Sequence, residues 1–392
     1  MLDENTQDEI VISDEPAVVS PSRRHRWWAV PLAVVGVAVP LAALVTNGIV
    51  IDYWSFGPGS ASAVGDRLEF ESLPNGVRDD ERSGGLYFVT VAGSHLNVLQ
   101  RALGSADEDL RILSRRQRFG DSKPTQEREI DLQRMRDAKD IAEYVAYRRL
   151  GFDASLRPGE LVVAQVLCLN GERVNDPKCD TPAPAAEFLE RGATITSVDG
   201  TPTPTLEDLG PVMEGRRPGD EVTVRFRSPR ADSEKEATFR TFATPAEPDR
   251  ALIGFAPHDT YSVELPFRAV IDTDAIGGPS AGLAFTLTLI DRLTDGSITG
   301  GRRVAVTGTI REDGTVGAIG GLRQKTVAVR QAGVRYFIVP TEQGNDGIDG
   351  LAAARDEAGS SVEIIAVATL EDALRALERL GGSPIVAAGT AD

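Results

Sequence analysis

The spacing of apolar positions changes several times along the chain, and each change marks an element. Residues 1–26 are polar and acidic with no apolar period, which predicts a disordered N-terminus. From Trp27 to Ile51 the run "WWAVPLAVVGVAVPLAALVTNGIVI" carries no charge. At about 1.5 Å per residue it reaches roughly 37 Å, enough to cross a ~30 Å hydrocarbon core with some tilt. Arg23, Arg24 and Arg26 precede it and Asp52 follows. The pattern therefore predicts one transmembrane helix over 27–51, with a cytoplasmic N-terminus and everything after Asp52 extracytoplasmic. Trp27, Trp28, Tyr53 and Trp54 suit the interfacial belts. A cleaved signal peptide stays open as the alternative, because "SASA" at Ser60–Ala63 has the small-x-small form; the apolar run is longer than such peptides use.

Beyond the span, residues 66–154 read as an α/β lead-in. "LYFVTVAG" (Leu86–Gly93) alternates like a strand. Leu132, Met135, Ile141, Val145 and Leu150 fall at near-helical spacing before Gly151. Residues 155–245 are strand-rich: "ELVVAQVLCL", a short helix in "PAAEFLERG", "ATITSVDGTPT" with an Asp-Gly turn, "LEDLGPVMEG", then "RRPGDEVTVRFRSP". Residues 250–384 alternate strands and helices. "FRAVIDTD" leads through a Gly-Gly-Pro-Ser-Ala-Gly corner into an apolar helix. "LRQKTVAVRQAG" is a helix ended by Gly333. "RYFIVP" and "VEIIAV" are strands, and Thr369 caps a terminal helix with Asp372 at the reach-back position.

Composition narrows the function. The net charge of −17 over 392 residues argues against nucleic-acid partners, which need a basic face. Three histidines and two cysteines, with no HExxH or CxxC, leave no metal site and imply no cofactor. "GGLRQKT" lacks the glycine and spacing of GxxxxGK[ST], so no ATP site is expected. Cys168 and Cys179 flank a short polar loop. In an exported chain a disulfide between them would contribute about 2–3 kcal/mol; two free thiols are the alternative.

Ser280 stands at the Gly-Pro corner where a helix begins. A serine hydroxyl needs a base to act as a nucleophile. His258, with Asp259 or Asp272, is one option. A neutral lysine is another. Only about one lysine in 2,500 is neutral at pH 7, and bringing its pKa near 7 costs about 4 kcal/mol, which demands burial. After Glu247 the chain has a single lysine, Lys325, set among Ala318, Ile319, Leu322, Val327 and Val329.

"GGPSAG", followed by Lys325 in "GAIGGLRQKTVAVRQAGV", with "VTG" at Val306–Gly308 and "FIVP" at Phe337–Pro340, strongly resembles the proteolytic domain of Lon proteases. The resemblance implies a Ser–Lys dyad: Ser280 as nucleophile, Lys325 as general base, Thr307 orienting the amine. Gly277 and Gly278 would leave room for substrate backbone. Where many Lon proteins carry an aspartate three residues before the serine, this chain has Gly277. Pro184–Ala186, Gly192–Gly200 and Pro218–Val222 together resemble bacterial PDZ domains, which implies peptide addition to a sheet edge. Their carboxylate loop would fall at Arg157–Ala164.

The whole then resembles the PDZ–Lon membrane protease family. The fold class expected is an α/β Lon-type proteolytic domain plus a β-rich PDZ-like domain, with one N-terminal transmembrane helix. The function expected is an ATP-independent membrane-anchored serine endopeptidase acting on exported polypeptides, and the resemblance suggests ring assembly. The rivals are a non-catalytic membrane-tethered PDZ adaptor, and an acyltransferase or esterase on the same dyad.

Overall fold

Two sheets organise the chain. A computed structural model describes residues 34, 41, 44, 46–80, 85–119, 124–172, 179–229, 231, 233–344 and 347–385. The chain divides into Met1–Ile49 and Val50–Asp392, and both sheets belong to the second unit.

The larger sheet runs Glu363–Val367, Tyr336–Pro340, Val304–Val306, Leu86–Ala92, Val50–Ala63 and His95–Asn97, with Arg111–Ser114 also on Val50–Ala63. The first four strands run parallel to one another, and Val50–Ala63 runs antiparallel to Leu86–Ala92. Parallel strands covered on both faces carry continuous apolar runs. Here alternate residues split cleanly between two cores. Phe88, Val304, Val306 and Ile338 pack on one face, and Val89, Ala305, Phe337 and Val339 on the other. The first face holds three helices: Pro124–Leu150, Gly282–Arg292 (the serine helix) and Leu370–Arg379. The second holds Leu322–Gln331 (the lysine helix) and Leu351–Ala358. Thr369 and Asp372 form a reciprocal capping box at the terminal helix.

The expected lead-in therefore lies inside the larger fold. Leu86–Ala92 is a central strand, and Met135, Ala142, Val145, Ala146, Tyr147 and Leu150 of the long helix share a core with the serine helix.

The smaller sheet is six-stranded, in the order Glu234–Arg240, Glu221–Arg227, Thr194–Val198, Ser155–Val166, Phe255–Glu264, with Thr201–Pro202 on Thr194–Val198. The strand Phe255–Glu264 falls in the stretch expected to open the protease region, yet it pairs with Ser155–Val166, and Glu264 stands opposite Ser155. Cys168 and Cys179 form a disulfide.

The expected membrane helix needs correction. Among the described residues no helix is long and apolar enough to cross a membrane. Most of 27–51, like 1–26, lies outside the described residues. The end that is described is a β-strand from Val50, as β-branched and aromatic residues favour. Of the expected interfacial aromatics, Trp27 and Trp28 lie outside the described residues; Trp54 stacks on His95 at 4.2 Å, and the Arg101 guanidinium lies 3.7 Å from the Tyr53 ring centre. Ser60–Ala63, the alternative cleavage site, lies within the same strand, and Ala61–Ala63 pair with Tyr87–Val89.

Candidate active site

The strand Ala269–Ile271, paired with Leu68–Phe70, feeds the chain toward Ser280. The corner Gly277-Gly278-Pro279 then turns it. Gly278 has φ +91, a region that costs a side chain strain. Gly277 is held by space: a Cβ there would lie 2.8 Å from Asp131 Cβ and 3.0 Å from its backbone carbon. Gly278 N donates to Asp131 O at 2.7 Å. Its amide is thus used within the fold.

The serine helix starts just after. Its N-cap is Ala281 with no side-chain cap, so the Ser280 hydroxyl is not spent on capping. All eleven residues of the helix are buried. This fixes the corner to the core, and the positive end of the helix dipole lies beside Ser280, where it favours developing negative charge.

Three bonds tie the corner to the end of Val304–Val306. Gly308 N donates to Ser280 O at 2.9 Å, Leu283 N donates to Gly308 O at 3.1 Å, and Thr307 Oγ1 donates to Ser280 O at 3.1 Å. Thr307 is itself fully buried. Gly321, at φ +70, starts the lysine helix; a Cβ there would lie 2.8 Å from the Phe56 ring.

From that helix Lys325, 2% exposed, sends Nζ past the strand end to 2.7 Å from Ser280 Oγ and 3.0 Å from Thr307 Oγ1. Burial pushes its pKa down to about 7, against a smaller opposing pull from the Asp349 carboxylate. A neutral amine has two hydrogens and one lone pair. Thr307 commits its own hydrogen to Ser280 O, so it accepts one from Lys325. That leaves the amine's lone pair free to face the serine hydroxyl. The arrangement can remove a proton from Ser280 near neutral pH.

The histidine alternative is not assembled. His258 is exposed on the smaller sheet, paired with Val162. Asp259 Oδ1 accepts from Leu206 N, and Asp272 Oδ1 from Asp274 N. Among the described residues no cluster of His, Cys, Asp or Glu could hold a metal ion.

A second feature lies on the smaller sheet. A groove of about 900 Å³ runs beside the helix Leu206–Met213, lined by Leu209, Met213, Ile253, Phe255 and Pro257. Phe255–Glu264 is the edge strand here. The turn entering it is Leu252-Ile253-Gly254, with Gly254 at φ +94, whereas the sequence pointed to Arg157–Ala164. That stretch is an interior strand, bonded on both edges. The connection between Asp131 and the serine corner was also missed. Its one signal was Gly277, a position that cannot carry a side chain.

Residues 267–378 match the Lon protease (S16) C-terminal proteolytic domain. Over that region the chain is similar to the proteolytic part of Lon proteases. It is 35% identical over 119 residues to the Lon protease of Chloroflexus aggregans, covering 30% of this chain and 13% of that one. It is 37% identical over 99 residues to that of Phenylobacterium zucineum, covering 25% and 12%. The chain thus spans about an eighth of the length of these relatives. Among solved structures, the PDZ domain of the SdrC-like protein of Listeria monocytogenes is 21% identical, covering 25% of this chain and 86% of that one, with a TM-score of 0.20.

Proposed function

We propose that this protein is an ATP-independent serine endopeptidase that cuts unfolded or flexible polypeptide segments. Ser280 is the nucleophile, Lys325 the general base and Thr307 the residue that orients the amine. The observation that carries this reading is the buried Lys325 amine 2.7 Å from Ser280 Oγ. Ser280 Oγ attacks the scissile carbonyl as Lys325 takes its proton. The amine returns that proton to the leaving nitrogen, and water then hydrolyses the acyl-enzyme. The 392 residues contain no GxxxxGK[ST], which favours substrates that need no unfolding.

The groove beside Leu206–Met213 would recruit extended segments at the edge strand Phe255–Glu264. The Cys168–Cys179 bridge favours work in an oxidising, extracytoplasmic compartment.

The test is hydrolysis of an unfolded protein without nucleotide, comparing the full chain with Ser280→Ala and Lys325→Ala. Loss in both, with folding intact, supports the dyad. Activity surviving Ser280→Ala sinks it. Peptide binding without cleavage by the wild type would favour an adaptor, and cleavage of esters but not peptides would favour an esterase.

A further inference from the structure

The family match begins at Phe267, so the helix Pro124–Leu150 lies outside it. Yet this helix bonds the approach to Ser280 at four successive places. Glu143 accepts from Ala269 N at 3.4 Å, and Lys139 Nζ donates to Ile271 O at 2.7 Å. Arg128 donates to Ala275 O, and Asp131 O accepts from Gly278 N at 2.7 Å. The contacts pass from Glu143 and Lys139 to the N-terminal turns of the helix, at Arg128 and Asp131, as the chain nears Ser280.

At that N-terminal part, one turn before Asp131, Glu127 meets the smaller sheet. Both its carboxylate oxygens lie 3.2 Å from Arg191 Nη1. The pair is largely withdrawn from water, with side chains 21% and 18% exposed. Arg191 is anchored by its neighbours. Leu189 and Ala193 belong to the smaller sheet's core, and Gly192 N donates to Val163 O. Around Asp131 stand Glu127, Arg191, Arg118 and Arg128.

We propose that Arg191 is a positioning residue for Ser280: through Glu127 it fixes the start of the long helix, and Asp131 passes that position to the serine corner. The smaller sheet is thereby tied mechanically to the peptidase site. The activity arm of the test rests on the function proposed above, and the exchange arm does not.

The experiment uses the full chain with Arg191→Ala, Glu127→Gln, and the charge-swapped double variant Arg191→Glu with Glu127→Arg. Hydrogen exchange is read over 271–278, with Val304–Val306 and Tyr336–Pro340 as internal references. Acylation of Ser280 by a fluorophosphonate probe, kcat and KM are read alongside. In each single variant the 271–278 amides should exchange about two- to fivefold faster, the range over which a partly exposed ion pair biases an equilibrium. kcat should fall by a similar factor with KM unchanged, and the swapped pair should restore both. Unchanged exchange over 271–278, or equal acceleration in the reference strands, overturns the proposal. Faster exchange in a protein whose wild type neither acylates nor hydrolyses would uphold the tie and sink the peptidase reading.

Discussion

Lys325 and Ser280 stand 45 residues apart in the chain, and their side chains meet at 2.7 Å after approaching from opposite faces of one sheet. The meeting point is the end of Val304–Val306, where the parallel strand stops and Thr307 follows. Loops at the carboxyl ends of parallel strands are where open α/β sheets place ligands. The lysine reaches this point through the core, which is why it is held near neutral.

The pH dependence follows. A base must be deprotonated to accept a proton, so kcat/KM should rise about tenfold per pH unit below the Lys325 pKa of about 7 and level off above it. Asp349 favours the charged amine. Asp349→Asn should therefore move the acid limb to lower pH. A limb that stays put in this variant would remove Asp349 from the account.

Replacing Lys325 should strengthen the fold. Lys325 titrates lower folded than unfolded, so below pH 7 the folded state must bury a charge. Between about 7 and 10.5 the unfolded chain binds the extra proton, and stability rises with pH. Lys325→Met should raise Tm at pH 6, flatten that rise, and abolish hydrolysis. Calorimetry at pH 6 and pH 9 reads the difference.

Gly277 admits no Cβ against Asp131. Gly277→Ala should cost about 1–3 kcal/mol through overpacking and lower kcat more than it raises KM, because the corner shifts Ser280 while the groove is untouched. Equal kcat in a destabilised variant would show that the corner tolerates movement.

Glu143 offers a stability test away from the dyad. Burial pushes its pKa up to about 7, against the bond from Ala269 N and the nearby Arg268; Asp140 and Glu71 push the same way as burial. A carboxyl raised in the folded state contributes stability below pH 4.5 that is lost as pH rises through about 7. Glu143→Gln should gain Tm over wild type at pH 8 and show little difference at pH 4.5. A wild-type Tm independent of pH across this range would refute it.

The meeting of Lys325 with Ser280 was legible through the resemblance of "GGPSAG" and "GAIGGLRQKTVAVRQAGV" to Lon proteolytic domains; a glycine-proline corner and a lone lysine among arginines left His258 open beside it. The capping box at Thr369 and Asp372 was legible because its two residues stand three apart in the chain. What escaped depends on partners remote in sequence. Nothing in "LYFVTVAG" says that it lies beside Val304–Val306, and nothing in Asp131 points to Gly278. The apolar run ending at Ile51 misled because β-branched residues serve a strand as well as a membrane helix. Tyr53 and Trp54 found rings and cations within the fold instead of an interface. The groove turn was misplaced because Arg157–Ala164 and Leu252–Phe255 sit on adjacent strands, and only the pairing reveals which of them is the edge.

Ser155 facing Glu264 makes everything between them an insertion. The chain leaves the larger fold after the long helix, completes the smaller sheet with its own core, and returns through the next strand over. Such an excursion can be removed or exchanged as one piece, since its two ends are already neighbours. A version in which a few flexible residues join Ala154 to Leu265 should keep Leu86–Ala92 between its neighbours but, lacking Arg191, loosen the serine corner. That version would separate what the larger fold holds by itself from what the inserted sheet adds to it.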